Sequence, residues 1–379
     1  MTKTVVILGG SYAGLHVAHY LLKQKIQDVK VVLVSKNSHL YWNMASVRAV
    51  IPGVLKDEEL FHPLSTALSR YPSSSYELII GTADAADFAT KTVTVSPLDG
   101  SGIRTLPYDE LVLATGARSA VTAGGPEVPW KAAGSYEEAV TLIRETTSRV
   151  DAARHIVVGG AGATGVELAG ELGFEYGRKK AKEIVLLAGG PEILGGDAIA
   201  GNARSQLTGL GVTVRTDATV ESVRPAAAAD GKTEVVLRNG EVITTDLYLP
   251  TTGMVPNSEY VDTKYLDDEQ HVPVDQYCKV KGVDGVWALG DLVSKPRAGF
   301  LITQKQAVGV AKNIGAVLRG KEPAVVKGLP FDIFSCAVGR GGGAGRLGSV
   351  KIFSTMVWLA KGRTLGLQMI PSYVDGSVA

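Results

Sequence analysis

Thr4-Val5-Val6-Ile7-Leu8 runs straight into Gly9-Gly10-Ser11-Tyr12-Ala13-Gly14. Much later His155-Ile156-Val157-Val158 runs into Gly159-Gly160-Ala161-Gly162-Ala163-Thr164-Gly165. Each stretch is a short β-branched run, a glycine-rich turn and then helix-favouring residues. That is the strand–turn–helix context in which a pyrophosphate sits on a helix N-terminus, where free N–H groups and the helix dipole favour an anion. Glycine is needed because the turn is tight and the phosphates must approach bare backbone. One such motif is weak evidence; two in one chain imply two bound dinucleotides.

Working outward, the first unit continues with a helix over Leu15–Gln24 and a strand, Val29 to Val34. Asp57–Arg70 has helical spacing, Glu77–Ile80 and Thr92–Ser96 read as strands, and Leu111-Val112-Leu113-Ala114-Thr115-Gly116 is a strand ending in a small-residue turn. The second unit repeats these events: a helix over Thr164–Tyr176, a strand Glu183–Leu187, a helix Ala198–Leu210, strands Glu234–Leu237 and Leu247–Leu249, and the turn Thr251-Thr252-Gly253. Val286-Trp287-Ala288-Leu289-Gly290-Asp291 is one more strand closing on Gly-Asp, and Leu301–Leu318 is a long helix. The order predicts an α/β chain of two dinucleotide-binding domains, one discontinuous over 1–117 and 254–323, the other over 118–253, with a short C-terminal region over 324–379.

The 379 residues exceed one compact core, which agrees with this division. A net charge of +1 gives no basis for nucleic-acid binding. The two cysteines, Cys278 and Cys336, match no metal or CxxC spacing, and the scattered histidines form no metal set, His16 and His19 reading as structural. No metal is expected. There is no signal-peptide pattern and no apolar run of about 20 residues for a membrane span, and Thr2 stands where N-myristoylation needs a glycine. The expected setting is intracellular and cytoplasmic.

This set of parts resembles the flavoproteins with two dinucleotide-binding domains: a first glycine fingerprint for FAD, an ATG turn, a second fingerprint for NADH or NADPH, and a Gly-Asp that returns to the flavin. Tyr41-Trp42-Asn43-Met44-Ala45-Ser46-Val47-Arg48-Ala49, the short C-terminal region and the missing redox cysteine pair resemble the apoptosis-inducing-factor-like, ferroptosis-suppressor type of NAD(P)H oxidoreductase. The resemblance implies two Rossmann-like domains and electron transfer from NAD(P)H through FAD to a quinone. The candidates for binding the cofactors include Gly9, Gly10, Ser11, Tyr12, Ala13, Gly14, Ser35, Lys36, Arg48, Ala83, Thr115, Gly116, Gly290 and Asp291. Gly160, Gly162, Ala163, Thr164, Gly165 and Gly253 fall to the nicotinamide nucleotide, with Glu167 and Lys305 as candidates for the chemistry. Two departures stand out: Ser11 replaces the middle glycine, and Ser35-Lys36 replaces the acid that usually holds the adenosine ribose.

Several readings stay open at this level. Glu167 either orients nicotinamide or complements a helix dipole. Ala188-Gly189-Gly190, where coenzyme choice is usually made, carries neither acid nor arginine. Lys305 either supports the reduced flavin or is a surface lysine. The basic, aromatic-bearing segment over 350–361, with Ile352, Phe353, Met356, Val357 and Ala360 at helical spacing beside Trp358, either lies on an anionic membrane or packs on the body of the protein. The membrane reading would place the protein peripherally, for example on the mitochondrial surface or lipid droplets. The alternatives to quinone reduction are a specialised metabolite or oxygen as acceptor, or a nucleotide-binding signalling protein without turnover.

Overall fold

The computed structural model describes residues 2–120, 125–131, 134–227, 231–294 and 296–379. Strand β1 (Lys3–Leu8) is fully buried from Val5 onward and pairs in parallel with β2 (Val29–Ser35) through helix α1 (Tyr12–Lys23). A strand covered on both faces reads as a continuous apolar run, and β1 does. α1 starts directly at the glycine turn, three residues earlier than expected, so Ser11 becomes its N-cap.

Next come β3 (His39–Tyr41), α2 (Ser46–Ala49), α3 (Asp57–Leu60), β4 (Phe61–Pro63) and α4 (Leu64–Leu68). The single helix expected over 57–70 is thus interrupted. Pro63 lacks an N–H and disfavours helical backbone at His62, and the released residues pair antiparallel with β3. β5 (Tyr76–Asp87), β6 (Thr92–Pro97) and β7 (Arg104–Pro107) form an antiparallel edge, and β8 (Glu110–Leu113) returns beside β1.

β9 (Ala117–Ser119) leads to the second unit. There α5 (Tyr136–Ala152), opened by a Ser135–Glu138 capping box, precedes β10 (His155–Gly159), α6 (Ala163–Leu172), β11 (Glu183–Leu187), α7 (Ala200–Gly209) and β12 (Val212–Arg215). An antiparallel sheet of β13 (Val220–Pro225), β14 (Thr233–Leu237) and β15 (Val242–Thr245) follows, and β16 (Leu247–Pro250) returns to β10. The parallel order is β12-β11-β10-β16. The helix expected to reach Tyr176 changes at Leu172 into a π turn, Gly173–Gly177.

β17 (Met254–Pro256) crosses back antiparallel to β9, and β18 (Val286–Ala288) completes the first sheet in the order β18-β8-β1-β2-β5-β6-β7. Helix α8 (Phe300–Val317) follows. The C-terminal region consists of β19 (Ile333–Ala337), β20 (Gly343–Leu347), β21 (Val350–Ile352), α9 (Ser354–Val357), a π turn (Trp358–Gly362) and α10 (Ile370–Val374).

This region docks on both units. A Cβ at Gly170 on α6 would lie 2.6 Å from the backbone nitrogen of Gly339, so the approach depends on glycine there. On the first unit, Trp42 Nε1 donates to Leu365 O (2.9 Å), and Lys23 donates to the carbonyls of Gly376 and Ala379. No described helix is long and apolar enough to cross a membrane.

Candidate functional site: two glycine cradles and a carboxylate–ammonium pair

The first cleft, about 460 Å³, opens at the carboxyl ends of β1, β2 and β8, where ligands of open α/β sheets bind. Gly9 has φ +113°, and a Cβ on it would strike the Ala114 carbonyl; a Cβ on Gly10 would come within 2.6 Å of Ser35 Oγ. These glycines let the turn lie flat against its neighbours. Ser11 is exposed and makes no cap hydrogen bond, so the first amides of α1 and the Ser11 hydroxyl remain available to a pyrophosphate. Gly9, Gly10, Ser11, Tyr12, Ala13, Ser35, Lys36, Ala83, Thr115, Gly116, Gly290 and Asp291 all line this cleft, and Gly14 backs it. Ser35 donates its hydroxyl proton to Asn37 O (2.6 Å), so only its lone pairs remain for a ligand hydroxyl. Gly116 has φ +67°, and Thr115 Oγ1 donates to Asn257 O (2.8 Å) to pin that turn.

Asp291, just after β18, is ion-paired with Lys131 inside the same cleft. Its neighbour Gly290 (φ +78°) donates its N–H to Gln306 Oε1 of α8 at 2.9 Å. Beside them Tyr12, Trp42, Phe300 and Tyr373 pack ring to ring, centroids 5.2 to 6.3 Å apart. Burial pushes the Tyr12 phenol far above its ordinary value. Sequence reading missed Lys131, Phe300 and Tyr373, whereas Tyr12 stood among the FAD candidates and Trp42 in the Tyr41–Ala49 stretch.

The second cleft, about 340 Å³, lies at the ends of β10 and β11 and is bordered by Ala161, Gly162, Gly189, Gly190 and Glu192. Gly160 has φ +102°, and its Cβ would lie 2.7 Å from Thr252 Cγ2. A Cβ on Gly165 would strike the Gly160 carbonyl. At Gly162, the N-cap of α6, a Cβ would meet nothing within 4 Å. That open space, with Ala163 and Thr164 starting the helix beside it, would let a pyrophosphate approach the backbone. Both cradles therefore fit dinucleotides.

Glu167 lies one turn into α6 and is 7% exposed. Its Oε1 accepts the Ala337 N–H (3.1 Å) and pairs with Lys361 Nζ (2.5 Å). Cys336 completes the cluster, its Sγ 3.5 Å from Ala163 O. Burial works to lower the Lys361 pKa, but the Glu167 carboxylate outweighs it and holds the ammonium above its ordinary value. Lys361 was visible in the sequence only as part of a basic stripe.

Three other candidates of the sequence reading lie outside the linings of the two clefts. Arg48 lines neither cleft. It is 4% exposed, donates twice to Glu171 (3.0 and 2.7 Å) and reaches the carbonyls of Gly362 and Arg363, so its charge is fully engaged. Lys305 is exposed and lines neither cleft, because α8 turns Thr303, Gln306, Ala307 and Val310 inward. Gly253 (φ +67°) sits in the crossover turn against Ala120. The 350–361 stripe also divides: Val357 is buried, Trp358 donates to Arg340 O (2.8 Å), and Phe353, Met356 and Leu359 point to solvent.

Both thiols are buried and held above their ordinary range, Cys278 at about 11 and Cys336 well above its usual value, chiefly by burial. Native protein at pH 8 should leave both unlabelled by iodoacetamide over minutes, while unfolded protein labels at both. Rapid native labelling would show that a thiol is reachable after all.

A family model described as pyridine nucleotide-disulphide oxidoreductase matches residues 3–312. Oxidoreductase ptaL of Pestalotiopsis fici is 38% identical over 99% of this chain and 100% of its own length. Ferroptosis suppressor protein 1 of Homo sapiens is 24% identical, over 95% of this chain and 93% of its own. The solved sulfide:quinone oxidoreductase of Aquifex aeolicus superposes with a TM-score of 0.78 at 17% identity, covering 100% of this chain and 93% of that one. Both cradles lie inside the matched span, and the chain belongs to the pyridine nucleotide-disulphide oxidoreductase family, whose members use FAD and NAD(P)H.

Proposed function

We propose that the protein takes hydride from a nicotinamide dinucleotide in the second cleft and passes electrons, through FAD in the first, to a quinone or similar aromatic acceptor. The observation that carries this reading is the Glu167–Lys361 pair, set at the start of α6 beside the open Gly162 cradle and in a chain with no accessible thiol. When bound, NAD(P)H supplies the hydride and FAD converts it into electrons for the acceptor.

The chain's own residues hold and orient. Ser11 and the first amides of α1 bind one pyrophosphate, and the α6 N-terminus at Gly162 binds the other. Asp291 accepts a ribitol hydroxyl, with Lys131 balancing its charge. Lys361 fixes the position of Glu167, so that its carboxylate can orient the nicotinamide end. For the acceptor side, support comes from a cluster of exposed apolar side chains on the C-terminal region, Leu347, Val350, Phe353, Met356 and Leu359, beside exposed Lys351 and Arg363. Such a surface suits peripheral contact with an anionic membrane that dissolves quinone.

The test is anaerobic rapid mixing with NADH or NADPH, followed by turnover with a water-soluble quinone and with ubiquinone in anionic vesicles. Glu167→Gln and Lys361→Met should each slow flavin reduction about tenfold to a hundredfold while FAD content stays unchanged. Wild-type reduction rates in both variants would remove the pair from the chemistry. Failure of every quinone, with turnover on oxygen or another aromatic compound, would replace the acceptor.

A further inference from the structure

We infer that Glu192 makes the protein selective for NADH over NADPH by holding the adenosine ribose diol. The inference rests on the reading that the second cleft takes a nicotinamide dinucleotide. Where β11 ends, an acid would ordinarily receive the ribose, but this chain has Ala188, Gly189 and Gly190, which present no side-chain acceptor or charge. Glu192, two residues further on, is the only charged residue bordering the cleft among the described residues.

Its carboxylate is built into position. Oε1 accepts from the Ile193 N–H (2.9 Å) and from Arg204 Nε and Nη2 (3.0 and 2.6 Å). Oε2 accepts from no described residue. The Ile193 and Arg204 hydrogen bonds hold the carboxyl below its ordinary range, so it is an anion at neutral pH. The turn that carries it is anchored to the cradle: Leu194 N–H donates to Ala161 O at 2.7 Å, and Leu194, Gly195 and Gly196 all take positive φ. Glu192 therefore keeps a fixed relation to the backbone on which the pyrophosphate lies.

An ionised oxygen with spare lone pairs accepts from a ribose hydroxyl and repels a 2′-phosphate. The nearby cations are engaged and give a phosphate no relief. Arg204 is spent on Glu192 itself, and Arg215, at the end of neighbouring β12, makes two bonds to Glu241 (2.9 and 2.7 Å). Removing the Glu192 charge would free Arg204, so one substitution both ends the repulsion and exposes a guanidinium.

The test uses the FAD-loaded protein and two probes that carry no nicotinamide, ADP-ribose and 2′-phospho-ADP-ribose, titrated calorimetrically. Wild type should bind ADP-ribose roughly tenfold to a hundredfold more tightly, the range expected for one charge-assisted hydrogen bond. Glu192→Gln keeps the shape and the Ile193 contact, and should bring the two affinities within about threefold, mainly by tighter binding of the phosphorylated probe. Adding Arg204→Ala should cancel that gain and leave ADP-ribose affinity near that of the single variant. Equal affinities in wild type, a preference for the phosphorylated probe, or an unchanged ratio in Glu192→Gln would each overturn the inference while the oxidoreductase reading stands. If neither probe binds and NADH does not reduce the flavin, the reading of the cleft falls, and the inference with it.

Discussion

Arg48→Met should lower the unfolding free energy by about 3–5 kcal/mol, because it leaves the Glu171 carboxylate buried without its partner. Glu171 is 1% exposed, and its remaining cation, Arg340 Nε, stands 3.4 Å away and also serves Glu175. Arg48 additionally donates to Gly362 O and Arg363 O, next to Lys361, so its loss also loosens the segment that brings the ammonium to Glu167. Flavin reduction should therefore slow in Arg48→Met even at temperatures where the protein stays folded. Urea unfolding with parallel stopped-flow reduction checks both halves. Near-native stability would mean that Glu171 protonates at little cost. Lost stability with an unaltered reduction rate would mean that Lys361 is held by Glu167 and the Ser335 carbonyl alone.

Acid should unfold the protein through α1. His16 and His19 are 2% and 0% exposed, and burial, reinforced by Lys23 and for His19 also by Arg70, lowers both to about 4. Their ordinary value is near 6.5, so the unfolded chain binds these protons first. Stability is therefore complete above about pH 6.5 and falls as the pH drops toward 4, by up to about 3 kcal/mol for each histidine. His19 also contacts Tyr71 through Nδ1 (2.8 Å) and lies under Gly376, so the C-terminal tail should be released in the same transition. Urea midpoints measured from pH 7.5 to 4.5 should show this slope, and His16→Leu with His19→Gln should flatten it. A flat wild-type curve across that window would contradict the assignment.

The parts that could be read from sequence alone are those whose causes are local. Gly9, Gly160 and Gly165 sit where positive φ or a carbonyl against the Cβ position demands glycine, and the runs before them are buried strands. The phase of α8 is also local: Thr303, Ala307, Val310 and Ile314 mark its inner face, which by itself puts Lys305 outside. Arg48 and Lys361 depend instead on partners far away in the chain, Glu171 and Glu167, and no spacing rule connects them. In the sequence Arg48 looks like a charge available to a ligand and Lys361 like one charge of a basic stripe; in the fold both are spent inside the protein. The 57–70 stretch misleads for a different reason: its apolar spacing is helical, but Pro63 breaks the backbone and β3 takes the strand that results.

The two nucleotide-binding units are joined by the paired crossing strands β9 and β17, an arrangement that by itself would permit twisting about the ribbon. The C-terminal region adds a third attachment at a distance from that axis. Rotating one unit would pull Lys361 from Glu167 and Arg48 from Glu171, separating charges that have no other buried partner of equal quality among the described residues. The two pairs therefore oppose rotation of one unit against the other, and with it any change in the spacing of the two clefts. A coenzyme that met units held this way would spend little of its binding energy on bringing them together.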